Sequence, residues 1–279
     1  DALPIYFIRR TQIHVLSEFT EKVASAVDRE LERQRQERQL HSCLSLAGDE
    51  ACVEGLDTQN LVAATWKDVD PKAREYFGGK GNSILDMAQL GLNVPPAFIL
   101  GYPLFSRFAD PRLSKDFEAL VFSQVEELER RTGRILGDPE RPLIVSVRSG
   151  APTSMPGVMA TILNVGLTPE VRKALEKRRD PALIEALYAR FLENCRSALA
   201  LRSEGDQDAE AFFSPEFLTD PKSQLLGCIR LVYESRGSLA VKAYSQTLAT
   251  DVRAETAVTV QRLVFGNLNA RSLSGVLIT

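Results

Sequence analysis

The chain has 279 residues, of which 44% are hydrophobic and 25% are charged, with a net charge of -3 at pH 7. This length can bury a large core in one or two domains, and the weakly acidic balance gives no basic field that would attract nucleic acid. No apolar run approaches the roughly 20 residues of a membrane span, and the scattered cysteines favour reduced thiols in a cytoplasmic protein without a zinc site.

Residues 1–70 predict a largely helical N-terminal extension. Apolar side chains recur there at steps of three and four residues, which is the spacing of an amphipathic helix. The charged run RELERQRQERQ mixes both signs, as solvent-exposed helix faces do. The recurring apolar residues are Leu16, Phe19, Val23, Val27 and Leu31.

A glycine-rich segment surrounds Lys80. The glycines are Gly78, Gly79 and Gly81. They let the backbone approach a ligand closely, and Asn82 or Ser83 can cap the helix that follows. Glycine loop, lysine and helix N-terminus together favour a phosphate. The spacing is not that of the Walker motif, and a lysine in a tight exposed turn is the alternative.

Further along, a strand is predicted at Ala97–Leu100 and a helix over 113–132. The continuous apolar run Leu143–Val147 is typical of a strand that is buried on both faces of an α/β sheet. Arg148 follows directly, and ligands sit at the carboxyl ends of strands in such sheets. A guanidinium at that place favours an anion, above all phosphate. The alternative is an arginine that pairs with a nearby carboxylate.

The segment 169–236 predicts a helical insertion. Its first two helices are separated at Asp180 and Pro181, because proline ends the preceding helix, and another helix follows at 221–235. The chain then returns to strands at 238–244 and 256–266. A short Asn/Gly-containing turn joins the last of these to 272–279, which indicates an antiparallel hairpin. The order of elements is that of a layered helix-and-sheet architecture.

Three segments together resemble the signature blocks of the ATP-grasp nucleotide-binding domain of the pyruvate phosphate dikinase family, and more distantly that of phosphoenolpyruvate synthase. They are GGKGNSILDMAQLGLNVPPAFIL, GDPERPLIVSVRSGAPTSMPGVMATILNVGL and AVTVQRLVFGNLNARSLSGVLIT. The resemblance covers about 75–279. It implies an α+β fold with an ATP-grasp-like nucleotide-binding region at 71–279, which contains the helical insertion and is truncated at its C-terminal end.

The resemblance also implies which residues bind ATP. Lys80 and Arg148 match the family's catalytic cations that hold the ATP phosphates. Met155 stands where an apolar side chain can line the nucleotide pocket. The other implied ATP-binding residues are the glycines Gly78, Gly79 and Gly81 and the hinge residues Gln261, Arg262, Leu263 and Val264, whose backbone meets the adenine in the family.

The implied reaction moves phosphoryl groups from ATP, with Mg²⁺, to a carrier histidine and then to pyruvate, giving phosphoenolpyruvate. In the family the magnesium ligands follow the last block, so they are expected beyond Thr279, no metal ligand is assigned within the chain, and the chain alone is expected to be inactive. The parent enzyme could be a homodimer. The long N-terminal helix and Leu273, which departs from the family's small residue, motivate one alternative: a degenerate relative that binds a nucleotide or a partner without catalysis. A fold without any ligand is a further alternative.

Overall fold

A computed structural model describes residues 61–104, 114–150, 160–201, 212–237 and 256–266. These residues contain a five-stranded sheet in which every neighbouring pair of strands is antiparallel, in the order β1-β2-β5-β3-β4. The strands are β1 (Val62–Ala64), β2 (Ala97–Leu100), β3 (Val145–Gly150), β4 (Thr161–Val165) and β5 (Ala257–Arg262). The fold class is therefore α+β, and the α/β sheet suggested by the apolar run before Arg148 is wrong.

The helices of the described residues include those predicted at 113–132, in 169–201 and at 221–235, together with a short one at Pro215–Thr219 that was not predicted. They are α1 (Gly78–Gln89), α2 (Ser114–Thr132), α3 (Pro169–Glu176), α4 (Pro181–Ala200), α5 (Pro215–Thr219) and α6 (Pro221–Glu234), with 3-10 turns at Pro71–Phe77 and Ser235–Gly237. Proline opens each of the last four helices, a position that needs no backbone N–H. Asp180 caps α4 through a hydrogen bond from the Ala182 N–H, which explains the predicted break.

One side of the sheet, here called the closed face, forms the main core. Alternate residues of the strands point to this side, and helices α2, α4 and α6 pack against it. The members include Phe98, Val147 and Val260 from the strands, Val121 and Leu128 from α2, Phe191 and Cys195 from α4, and Cys228 and Val232 from α6. Cys195 and Cys228 are free thiols in this core, as expected.

The other side, here called the α1 face, carries a smaller apolar cluster. Ala63, Ile99 and Ala257 of the sheet pack there against Phe77 and Leu85. The strand register extends this face across the sheet as a row, because residues directly opposite one another point to the same side. The row runs through Thr161, Arg148, Thr259, Ile99 and Ala63. Part of the α1 face is therefore polar.

Strands β1 and β4 were not predicted from the sequence. β1 has only three residues, and β4 contains an irregularity beside Asn164, whose φ is +62°. β1 pairs with β2 although it precedes residue 71, where the nucleotide-binding region is expected to begin; that domain division stays a prediction.

Several expected elements lie outside the described residues, namely residues 1–60 and the strands at 238–244 and 272–279. Within the part of the chain that is described, no helix is long and apolar enough to cross a membrane.

Candidate functional site

Lys80 lies in the first turn of α1 rather than in a loop before it. The helix begins at Gly78, whose φ of +65° is a left-handed conformation that glycine adopts without strain. Phe77 is the N-cap residue, and no side chain caps the helix. The first N–H groups of α1 therefore have no side-chain acceptor, and their partial positive charge lies beside Lys80.

The predicted caps of this helix are wrong. Asn82 and Ser83 lie inside α1, since the four residues Gly78 to Gly81 are already helical. The Asn82 amide donates a hydrogen bond of 2.9 Å to the carbonyl of Arg74, which ties the helix to the preceding 3-10 turn. Ser83 donates a hydrogen bond of 2.9 Å to the carbonyl of Gly79.

Gly81 allows α1 to approach the sheet closely. A Cβ at this position would lie 3.2 Å from Cγ2 of Ile99, which is a tighter distance than ordinary packing allows. Gly81 is buried, whereas Gly79 is half-buried. The close approach of α1 brings its first turn, with Lys80, down onto the α1 face.

Arg148 lies inside β3, which continues to Gly150, and does not follow the strand as predicted; it projects from the α1 face and is half-buried. It stands opposite Thr259 of β5 on one side and Thr161 of β4 on the other. The Leu263 N–H donates to the Ile144 carbonyl at 2.8 Å, so Ile144 and Leu263, which stand opposite each other, form a hydrogen-bonded pair. Hydrogen-bonded and non-hydrogen-bonded pairs alternate along antiparallel strands, so every second pair of β3 and β5 counted from this one is also hydrogen-bonded. Arg148 and Thr259 form such a pair, and their Cα atoms are about 5.5 Å apart.

The structure brings Lys80 and Arg148 together. Partial burial lowers the pKa of the Lys80 amine, and the positive charge of Arg148 lowers it further. Among the residues that the structure describes, neither side chain forms an ion pair or a hydrogen bond, so the alternative of an Arg148–carboxylate pair finds no partner there. Two neighbouring cations without a carboxylate favour a bound anion.

Thr259 is a site residue that the sequence did not reveal. Its side chain is 1% exposed, and its hydroxyl has no hydrogen-bond partner in the structure. In the sequence it is an ordinary β-branched strand residue. Only the strand register shows that it lies beside Arg148.

The hinge segment leaves the sheet beside β2 and β3. The Arg262 N–H donates to the Pro96 carbonyl at 3.0 Å, and the Leu263 N–H is engaged by Ile144. The amide of Gln261 donates to the Pro95 carbonyl at 3.1 Å. Val264 follows with 60% of its surface exposed. Gln261 forms a further hydrogen-bonded pair with Ser146 of β3, so three of the four hinge N–H groups, those of Gln261, Arg262 and Leu263, are already used by neighbouring backbone.

Arg262 is not brought to the pair of cations. It stands opposite Val145, whose side chain belongs to the closed face, so its guanidinium points away from Arg148. Burial lowers the pKa of Arg262, and the charge of Arg134 lowers it further. Arg148 and Arg262 therefore leave the sheet on opposite sides.

Neither the predicted pocket residue Met155 nor a metal site is found among the described residues. Met155 lies outside the described residues. Over the described ranges, no three His, Cys, Asp or Glu side chains come together in a way that could hold a metal ion.

No protein-family model matches the chain. Among curated proteins, it is similar to pyruvate, phosphate dikinase 1 (chloroplastic) of Zea mays, with 34% identity over 242 residues, covering 74% of this chain and 25% of the relative.

It is also similar to the pyruvate, phosphate dikinases of Rickettsia bellii (31% over 247 residues, 76% of this chain and 28% of the relative) and Entamoeba histolytica (30% over 252 residues, 77% and 28%). The chain thus spans about a quarter of the length of these relatives. The resemblance drawn from the three sequence blocks is confirmed: about three quarters of this chain is a pyruvate, phosphate dikinase-like region.

Proposed function

We propose that this chain is the ATP-binding portion of a pyruvate, phosphate dikinase-like phosphotransferase and has an ATP-grasp-like fold. One observation carries the proposal: Lys80 stands in the first turn of α1, which packs over strand β3 with Arg148, and the two charges lie near enough for Arg148 to lower the pKa of Lys80, with no acidic partner for either among the described residues. A polyphosphate supplies the negative charge that this arrangement lacks. The similarity to dikinases over most of the chain agrees with this chemistry.

Lys80 and Arg148 would act on the phosphates of ATP in complementary ways. The compact ammonium of Lys80 is a point charge, whereas the planar guanidinium of Arg148 can hold two phosphate oxygens at once. Phosphoryl transfer depends mainly on positioning and on neutralising charge at the transferred group. Both side chains are held on a helix and a strand, which keeps them in place for that task.

The adenine would lie against the hinge. Because the N–H groups of Arg262 and Leu263 are engaged by the Pro96 and Ile144 carbonyls, they cannot also bind the base. We therefore place the adenine-reading backbone at Val264 and beyond, where the segment leaves the sheet. The Arg262 guanidinium, on the closed-face side, is excluded from the phosphate site.

In the complete reaction, ATP with Mg²⁺ would supply a phosphoryl group that passes to a carrier histidine and then to pyruvate. The 279 residues of the chain correspond to about a quarter of the relatives' length, so we expect them to bind ATP without forming phosphoenolpyruvate on their own. Location in the cytoplasm and a homodimeric parent enzyme remain part of this proposal.

Calorimetric titration of the chain with ATP tests the binding role. Replacing Lys80 or Arg148 by alanine removes a charge-assisted contact worth roughly 1.5–3 kcal/mol, so the affinity should fall about tenfold or more. Lys115→Ala and Arg190→Ala are matched controls, because both residues are exposed cations on other helices. ATP binding that is equally weakened in all four variants, or absent from the unaltered chain, would refute the proposal.

Turnover provides a second, independent measurement. The chain is incubated with magnesium ATP and pyruvate, and phosphoenolpyruvate is assayed. We expect ATP binding without product. Product formed by the purified chain would show that the whole reaction resides in these residues, contrary to the proposal.

A further inference from the structure

We propose that Thr259 is a positioning residue for Arg148: its hydroxyl oxygen accepts a hydrogen bond from the Arg148 guanidinium when phosphate is bound. The inference rests on the proposed function, since it concerns the same phosphate site. It gives a role to a residue of the third sequence block to which the resemblance assigned none. Thr259 does not itself contact the ligand in this proposal.

The register places the two side chains next to each other. Arg148 and Thr259 are directly opposite on β3 and β5, and both point to the α1 face. Cβ atoms of such a pair lie about 4.5–5.5 Å apart, so the long arginine side chain leaves the sheet beside the threonine hydroxyl. On its other side Thr259 faces the apolar Ile99 of β2, which offers no hydrogen bond from its side chain.

Within the described part of the chain, Thr259 has a hydroxyl without a hydrogen-bond partner, and Arg148 has N–H donors without an acceptor. Thr259 Oγ1 is buried and without a partner, whereas native proteins pair the large majority of such groups. Arg148 has five N–H donors and no hydrogen bond or ion pair among the described residues. A phosphate between Lys80 and Arg148 would engage only some of those donors. Thr161 also stands opposite Arg148, on β4, but Thr259 Oγ1 is the buried hydroxyl without a partner, and it can accept from a donor that does not face the phosphate.

Holding Arg148 in this way would reduce the loss of side-chain freedom on binding. An arginine has many rotamers, and fixing them costs affinity. A buried acceptor at the base of the side chain favours the rotamers that remain on the α1 face near Lys80. A buried hydroxyl without a partner lowers the stability of the fold, and the proposed hydrogen bond from Arg148 would supply that partner when phosphate is bound.

Ser149 provides the matched control. Its hydroxyl is also buried without a partner, with 1% of the residue exposed, but it belongs to the opposite side of β3. It stands opposite Val258 of the closed face. Removing either hydroxyl eliminates one unpaired polar group from the interior. Of these two residues, only Thr259 stands opposite Arg148 on the α1 face.

The experiment measures ATP affinity and melting temperature for Thr259→Val, Thr259→Ser and Ser149→Ala. Thr259→Val keeps the shape and removes the unpaired hydroxyl, so its melting temperature should stay the same or rise. Its ATP affinity should nevertheless fall about tenfold, the effect of one hydrogen bond to a charged group. Thr259→Ser should retain the affinity, and Ser149→Ala should leave it unchanged.

Three outcomes would overturn the inference: Thr259→Val binds ATP as tightly as the unaltered chain, Thr259→Ser is as weak as Thr259→Val, or Ser149→Ala is weakened to the same extent. If Lys80→Ala and Arg148→Ala lose affinity while Thr259→Val does not, the positioning role fails and the proposed function stands. If the unaltered chain binds no ATP, both fail together.

Discussion

The two sides of the sheet use the same five strands for different purposes. The closed face presents buried apolar residues to α2, α4 and α6. The α1 face is apolar where Phe77 and Leu85 cover it, and it also carries Arg148 and the unpaired hydroxyl of Thr259. Successive residues of a strand point to opposite sides of the sheet. The residues of one side therefore form the main core, and those of the other side include the candidate phosphate ligand Arg148.

Neighbouring residues of β2 illustrate this separation. Phe98 belongs to the main core of the closed face, whereas Ile99 belongs to the smaller cluster under α1. Both are fully buried. They differ in their neighbours: Phe98 packs in the main core, whereas Ile99 lies against Gly81, the residue after Lys80. Substitutions at the two positions should therefore separate folding from binding.

Phe98→Ala should have the largest effect. Truncating a fully buried phenylalanine removes apolar contacts and leaves a cavity, at a cost of about 3–5 kcal/mol in the free energy of unfolding. Urea denaturation measures that loss. The affinity of the folded molecules for ATP should remain unchanged, because the α1 face is not altered. A loss of affinity in the fully folded variant would mean that the closed face and the site are coupled.

Ile99→Val should have a smaller effect on stability and a measurable effect on binding. It removes a single methyl group, Cδ1, from beneath Gly81, and such changes cost about 0.5–1.5 kcal/mol. The gap weakens the packing of α1 on the sheet, and α1 carries Lys80. We therefore expect a weaker affinity for ATP in calorimetry. Val260→Ala, on the closed face of β5, is the control that should lower stability without changing affinity. Equal affinities in the two variants would contradict the separation.

The sequence predicts most of the helices, one strand and the two candidate phosphate ligands, but it does not predict how the strands pair. The helices of 169–236, the strand Ala97–Leu100 and the pairing of Lys80 with Arg148 as candidate phosphate ligands followed from periodicity, proline positions and the resemblance. These signals are local or depend on residue type. Both cations were therefore candidates from the sequence alone, and their binding role stays a prediction; Lys80 was assigned to a loop that proves to be helix.

The register of the sheet could not be predicted. Arg148 lies inside β3 and Arg262 is the last residue of β5, and they point to opposite sides because each is paired with a particular residue across the sheet. Register depends on contacts between residues more than 100 positions apart, which periodicity in one segment does not contain. The same limit explains why Thr259 was missed and why the antiparallel order of the strands was not foreseen.

The smallest predicted effect concerns the charge on Lys80. Its pKa in the folded chain is below 10.5, first because of partial burial and second because of Arg148. Between that lowered pKa and 10.5, the unfolded chain holds more protons than the folded chain. The free energy of unfolding should therefore rise with pH across this window, relative to Lys80→Met, which cannot titrate.

Urea unfolding of both proteins at a series of alkaline pH values measures this difference. In Arg148→Ala, the pKa of Lys80 should lie closer to 10.5 but still below it, because burial, the larger cause of the shift, remains. The pH range over which the free energy of unfolding rises should therefore be narrower. Bound ATP should raise the pKa of Lys80, since a neighbouring phosphate favours the charged amine. Affinity for ATP should consequently fall as the pH rises through the lysine's pKa. If Arg148→Ala left the pH dependence unaltered, the two cations would not act on each other, and the polar half of the α1 face would contain two separate charges rather than one site.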